Sequence, residues 1–287
     1  MTLPPGFTVG HWTDPIGMTG CTVILCEAGA TAGVHVGGGA PASIQTDVIG
    51  PTAATAILHA VLLTGGSAFG LAAYDGVMRF LEEKGIGLVV RDWRVPHVAG
   101  AVIFDFAVGD AKARPNGDSG YAACRMATTD PAEGLVGGGT GASVAKLGTG
   151  RAPGGLGVAS VRAGGATVSA VMVVNALGDV WDAERNDWVA RSGPPANAVS
   201  GGNTTIGCIV TDAKLDRDAT RRVAMVGHDG LARAIRPAHT DRDGDTLFCM
   251  SAGTVITDTI AIQRAAAEAV EKAIVRAVRA SSGTMKA

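Results

Sequence analysis

The chain has 287 residues, with 24 basic and 26 acidic side chains and a formal net charge of -2. That balance gives no electrostatic basis for binding nucleic acid or an anionic membrane surface. Hydrophobic residues make up 47% and aromatic residues 4%, while glycine stands out at 42 residues without a collagen-like period, so the composition reads as a densely packed α/β protein rather than a disordered one.

The first residues, Met1-Thr2-Leu3-Pro4-Pro5, lack the basic-then-apolar pattern of a signal peptide. A strand-like run follows at 21–26. The apolar stretch 52–63 reads as a buried helix. The wider segment 51–66 contains His59 and is too short for a membrane span. Ser67 reads as the N-cap of a second helix ending at Gly85, with Leu71, Val77, Met78 and Leu81 on its inner side. Further strand-like runs occupy 87–91, 101–106, 156–161 and 166–175. From 182 to 202 the chain is polar and rich in Asn, Ser, Gly and Pro, which predicts a long exposed loop. Strands at 205–211 and 246–251 then alternate with helices at 216–235 and 258–280. The last helix carries Ile260, Ala267, Val270, Ile274 and Val278 near a 3.6-residue spacing. The polar loop could join two domains. The piece after it, however, offers too few elements to fold alone. Residues 1–287 are therefore read as one layered α/β domain.

Cys21, Cys26, Cys124, Cys208 and Cys249 are odd in number and scattered, as expected of reduced, buried thiols in a cytoplasmic protein. No Cys-x-x-Cys or His-x-x-x-His pair suggests a metal site. His11, His35, His59, His97, His228 and His239 form no ligand spacing and are read as core or surface histidines. No metal or cofactor is predicted.

The segment Gly201-Gly202-Asn203-Thr204-Thr205 runs from a flexible lead-in into an apolar strand. A backbone break between Asn203 and Thr204 would leave Thr204 with a nucleophilic hydroxyl and a free amine able to act as its base. The same residues also suit an ordinary loop-to-strand turn. Asn203-Thr204-Thr205 matches a glycosylation sequon as well, one that means little without a secretory signal. Asp243 and Asp245 sharpen the reading. Residues two apart in an extended segment share a face, and one carboxylate could hold the threonine hydroxyl or amine while the other orients it. Asp-Arg-Asp-Gly-Asp is also a common acidic turn. As a calcium loop it fails, because its glycine comes too early and the closing position is Ala252. Gly65-Gly66-Ser67 is not a nucleophile elbow. The glycine-rich run 137–146 lacks phosphate-loop spacing.

Taken together, Gly202-Asn203-Thr204-Thr205-Ile206-Gly207, the helix ending His228-Asp229-Gly230-Leu231-Ala232-Arg233-Ala234-Ile235-Arg236-Pro237, and Asp243-Gly244-Asp245-Thr246 resemble the L-aminopeptidase/D-esterase family of self-processing N-terminal-nucleophile hydrolases. Gly10-His11-Trp12-Thr13-Asp14, the run 63–71, Ala101-Val102-Ile103-Phe104-Asp105 and Gly139-Thr140-Gly141-Ala142 extend the likeness over nearly the whole chain. The nylon-oligomer hydrolase branch is the nearer likeness. It uses a threonine released after asparagine, with two aspartates as partners.

The resemblance implies a four-layer αββα sandwich, a homotetramer or larger ring, and cleavage into 1–203 and 204–287 that stay together. It implies catalytic roles for Thr204, Asp243, Asp245, Lys146 and Asn175, with Lys146 supporting and Asn175 on the oxyanion side. Phe104 stands where some relatives have an active-site tyrosine, and is expected to touch substrate. The segment 37–47 lacks the arginines common there in the family. The expected substrates are short peptides, amino-acid amides or linear ω-amino-acid oligomers. An acyltransferase using the same threonine, and a binding protein that never matures, are the alternatives.

Overall fold

The computed structural model describes residues 3–194 and 202–284. In chain order the elements begin with β1 (Thr8–Asp14), β2 (Thr19–Val36), β3 (Ser43–Ile44), β4 (Ile57–Thr64) and α1 (Ala73–Glu83). A hairpin of β5 (Leu88–Val90) and β6 (Trp93–Val95) leads to β7 (Val98–Val102) and α2 (Gly117–Arg125). Next come the short β8 (Ser143–Val144) and β9 (Ala152–Pro153), then the long β10 (Gly155–Ala163) and β11 (Ala166–Asn175). A second hairpin, β12 (Asp179–Asp182) and β13 (Asp187–Ala190), precedes β14 (Thr204–Ala213) and α3 (Arg217–Ala234). The chain ends through β15 (Ile235–Arg236), β16 (Thr246–Val255) and α4 (Thr259–Thr284).

The main strands are ordered β10-β11-β14-β16-β2-β4-β7-β3, with β1 also paired to β2. β2 joins two halves of this network. Its first part pairs with β1 and β4, an irregularity falls between Leu25 and Ala30, and its second part pairs with β16. The two halves lie face to face. Val171, Val173, Ile206, Cys208 and Val210 from one meet Ile24, Val61, Leu63, Ala99 and Ala101 from the other in a single core. Alternate residues point outward. Ala170, Met172, Val174 and Ile209 pack under α3 and α4. Val23, Leu25, Ala60 and Leu62 pack under α1 and α2. Three cores thus separate four layers, helices–sheet–sheet–helices, and the fold is the expected αββα sandwich. An inner strand buried on both faces reads as a continuous apolar run.

That property explains the main disagreement with the sequence reading. The stretch 52–63 is not a helix: its apolar part is β4. Leu58, Val61 and Leu63 face one core while Ala60 and Leu62 face another. Both faces are buried, so hydrophobic periodicity cannot separate strand from helix. Ser67 is not a cap either. It lies within a 3-10 turn at φ +51°, and Gly66 precedes it. The strand expected at 101–106 ends at Val102, so Phe104 lies in a loop. The expected loop at 182–202 instead begins within the β12–β13 hairpin, which runs to Ala190, and its residues 195–201 lie outside the described residues. Helix α3 matches expectation, with the Asp216 side chain accepting from Ala219 N at 2.8 Å. In α4 the predicted buried stripe holds except at Ile260, which is exposed on the first turn.

The cysteines are free and buried. No helix among the described residues is long and apolar enough to cross a membrane.

Candidate active site

Thr204 opens β14 and is buried at the end of the strand. Its neighbours follow from strand pairing. Asn175, the last residue of β11, stands opposite Thr204 across an antiparallel pair. On the other side β14 runs parallel to β16, and the loop entering β16 carries Asp243, Gly244 and Asp245. An isolated parallel bridge joins Asn203 to Asp243. Three strand ends therefore converge on the 203–204 peptide bond. Lys146, in the segment after β8, reaches Asn175, and Phe104, in the loop after β7, lies beside Gly202. All the residues singled out in the sequence meet here.

The carbonyl of Asn203 lies at the centre. Its oxygen accepts from the Gly244 N–H at 2.9 Å and also from the Thr204 hydroxyl. The hydroxyl thus sits against the carbonyl of the preceding residue. That carbonyl already carries a backbone donor placed as in an oxyanion hole.

Asn175 organises the other side. Its Nδ2 donates to the backbone oxygens of Phe104 (3.1 Å) and Gly202 (3.3 Å). Its Oδ1 accepts from Ser143 N (3.0 Å) and Lys146 Nζ (3.1 Å), and the ammonium also donates to the Asn175 backbone oxygen at 3.1 Å. Lys146 is buried. Desolvation, reinforced by the nearby Arg151 charge and opposed by Asp243, lowers its pKa to about 7. A lysine so placed can exchange a proton near neutral pH.

The two aspartates grip backbone. Among the described residues neither carboxylate bonds the Thr204 hydroxyl. Asp243 accepts from Thr240 N (3.0 Å), Thr240 Oγ1 (2.5 Å) and Leu177 N (3.5 Å). Asp245 accepts from Thr205 N at 2.7 Å. Burial and the neighbouring Asp245 charge raise the Asp243 pKa, against the Thr240 hydrogen bonds. With the peptide bond intact, the pair fixes the loop that presents Gly244 and the strand that presents Thr204.

Sequence reasoning missed a histidine here. Asp245 Oδ2 takes both the backbone N–H (3.0 Å) and the Nδ1 (2.7 Å) of His239, whose backbone is held in the left-handed region at φ +58°. His239 Nε2 lies 3.3 Å from His228 Nδ1, and His228 Nε2 lies 3.1 Å from the His35 backbone oxygen. Burial lowers the His228 pKa to about 4. His239 is six residues from Asp245 with no periodic relation to it, and only the turn between them makes the contact. Its one sequence signal is its place just upstream of the two aspartates.

The mouth of the site is aromatic. The Phe104 ring is part-exposed and lies 4.7 Å from Phe106, which lies 6.4 Å from Phe69. The Arg114 guanidinium covers Phe69 at 3.8 Å. A cavity of about 380 Å³ lined by Leu147, Leu177, Thr240, Asp241 and Arg242 opens beside the Asp243 loop. Among the described residues no group of His, Cys, Asp and Glu is placed to hold a metal ion.

The family model for peptidase family S58 matches residues 4–287. The chain belongs to peptidase family S58. A peptidase hydrolyses amide bonds, and this chain is a hydrolase of that kind. It is 42% identical to an uncharacterized aminopeptidase of Mycobacterium leprae, over 87% of this chain and 77% of that protein. It is 32% identical to a 6-aminohexanoate-oligomer endohydrolase of a Kocuria species, over 86% of this chain and 73% of that protein. Its fold is shared with the L-aminopeptidase D-Ala-esterase/amidase of Ochrobactrum anthropi, described as a variant of the Ntn hydrolase fold. There the TM-score is 0.77 at 21% identity, covering 98% of this chain and 87% of that one.

Proposed function

We propose that this S58 peptidase cleaves itself between Asn203 and Thr204, and then hydrolyses amide bonds of small substrates through Thr204. The observation that carries the reading is the Thr204 hydroxyl set against the Asn203 carbonyl while Gly244 N–H holds that carbonyl's oxygen.

In the precursor the Thr204 amine is locked in the peptide bond, so another group must take the hydroxyl proton. Lys146, neutral in good part near pH 7, is the candidate base. Thr204 Oγ adds to the Asn203 carbonyl carbon, the Asn203–Thr204 C–N bond breaks, and the departing nitrogen takes a proton. The resulting ester is opened by water, giving the Asn203 carboxylate and a free Thr204. In turnover the released α-amine, with an ordinary pKa of about 7.7–8.0, serves as base. Thr204 Oγ then forms an ester with the substrate acyl group, the amine product leaves with a proton, and water regenerates the hydroxyl. Asp243 and Asp245 position strand and loop, Gly244 N–H stabilises the oxyanion, and Asn175, whose Nδ2 is committed to the Phe104 and Gly202 oxygens, holds the acyl-side segment in place.

The relatives' activities support short peptides, amino-acid amides and linear ω-amino-acid oligomers as substrates. A homo-oligomer also belongs to this reading. The β5–β6 hairpin exposes Val90 and Trp93 as a cross-strand pair with Val95 on the same face, an apolar surface suited to a second copy.

Thr204→Ala tests the reading. The variant should stay a single chain on denaturing electrophoresis and hydrolyse no amide, while the wild type yields 1–203 and 204–287. Persistence of either activity would place the nucleophile elsewhere.

A further inference from the structure

Resting on the assignment of Thr204 as nucleophile, we infer that the precursor's own Gly202–Asn203 segment occupies the acyl-side substrate subsite, and that Phe104 restricts this subsite to acyl groups with no branch at the position of Gly202. The two half-reactions form the same functional group on the same atom. In maturation the ester on Thr204 Oγ carries residue 203 and the chain before it. In turnover the ester on Thr204 Oγ carries the substrate's acyl group. Whatever surrounds residues 202 and 203 therefore surrounds the substrate's reacting unit and the unit behind it.

Those surroundings are specific. Asn203 is fully enclosed, so the reacting unit has room for a side chain of about that size. Gly202 is held from its carbonyl side by Asn175 Nδ2 at 3.3 Å. Its backbone lies at φ +83°, and a Cβ there would stand 2.4 Å from Phe104 Cγ and 2.8 Å from Phe104 Cβ. The Phe104 Cβ cannot rotate away, because the loop is fixed by the hydrogen bond from Asn175 Nδ2 to its carbonyl at 3.1 Å. A glycyl unit or an unbranched methylene chain passes under the ring; an alanyl unit collides with it. The preferred substrates are therefore amides whose reacting acyl unit is Asn-sized or smaller and is preceded by glycine or plain methylenes. Phe104 acts here as a specificity residue through its ring.

Processed enzyme should be assayed with the N-acetylated p-nitroanilides of Gly-Asn and Ala-Asn. The expected result is a kcat/KM at least about tenfold higher for Gly-Asn, the scale of discrimination by a missing methyl-sized space. Phe104→Gly, which removes the Cβ as well as the ring and keeps the backbone carbonyl bonded by Asn175, should shrink that ratio by raising the Ala-Asn rate. In the full-length chain Gly202→Ala should slow self-cleavage, and Gly202→Ala with Phe104→Gly should recover part of it. Equal rates on the two anilides, cleavage of neither by an enzyme that cleaves another small amide, or a preference unchanged in Phe104→Gly, overturns the subsite while leaving the Thr204 mechanism standing. Fully processed protein that cleaves neither anilide nor any other small amide overturns the proposed function, and this inference with it.

Discussion

The backbone N–H of Gly244 donates to the carbonyl oxygen of Asn203 at 2.9 Å, across a bridge that ties the Asp243–Asp245 loop to the start of β14. The bond joins two residues forty-one positions apart in the chain. In the proposed self-cleavage this N–H is the donor placed where negative charge develops as Thr204 attacks.

Gly244 has no room for a side chain. A Cβ there would lie 2.6 Å from the Ala40 backbone oxygen and 2.8 Å from Thr204 Oγ1. Gly244→Ala must therefore shift either the donor or the nucleophile. Losing one oxyanion donor costs about 10²–10³ in rate. Self-cleavage of Gly244→Ala, followed by appearance of the two fragments over time, should slow by about that factor. Processing at the wild-type rate would remove Gly244 from the oxyanion site.

In the proposed mechanism Lys146 makes maturation pH-dependent. Its pKa in the fold is about 7, so the fraction able to accept a proton rises through that value. The self-cleavage rate should climb with pH to a plateau, with a midpoint near 7. Lys146→Met should abolish the midpoint and slow cleavage by about 10²–10⁴, the usual contribution of a general base. Lys146 also affects stability. The folded state holds this proton less tightly than the unfolded chain does, so its contribution improves as pH rises from about 7 toward the ordinary lysine value.

His239 has the opposite sign. Burial works against its charged form, but the hydrogen bond and charge of Asp245 outweigh this, and its pKa is raised. Asp243, His228 on α3 and His35 on β2 complete the charged and titratable groups facing it. The folded state binds this proton more tightly than the unfolded chain. The stabilisation is full below the ordinary histidine pKa of about 6.5 and fades as pH rises through the folded value. Unfolding midpoints in urea should show this loss as the difference between wild type and His239→Gln, which cancels the Lys146 trend common to both. A difference that does not change with pH would show that folding leaves the His239 pKa where it is in the unfolded chain.

Phe248 tests the packing between the sheets. It is fully buried in β16, in the core shared by the two sheets. Phe248→Ala should cost about 3–5 kcal/mol, the usual range for removing a buried phenyl ring. Urea titration measures it. A loss below about 1 kcal/mol would mean that the sheets close the cavity.

The outer elements were legible in the sequence wherever one face is wet. Helix α3 shows an Asp216 cap and a polar face, and α4 shows its stripe at Ala267, Val270, Ile274 and Val278. The exposed Ile260 lies at the start of α4, where periodicity alone sets no boundary. The doubly buried strands were legible as apolar runs but not always as strands, and β4 was read as a helix for that reason. The site residues Thr204, Asp243, Asp245, Lys146, Asn175 and Phe104 were named from motif and resemblance, without their contacts.

What the sequence determined by itself is the chemistry on offer. Thr204 follows Asn203, two carboxylates flank Gly244, and the likeness along the chain points to an amide hydrolase with layered sheets. Only the tertiary structure decided how that chemistry is assembled. It turned Asp243 and Asp245 onto backbone N–H groups instead of the hydroxyl, brought His239 onto Asp245, and set the Phe104 ring over Gly202. The physical reason is distance along the chain. These contacts join strand ends and loops brought together by sheet pairing, and local periodicity carries no information about which strand will lie beside which.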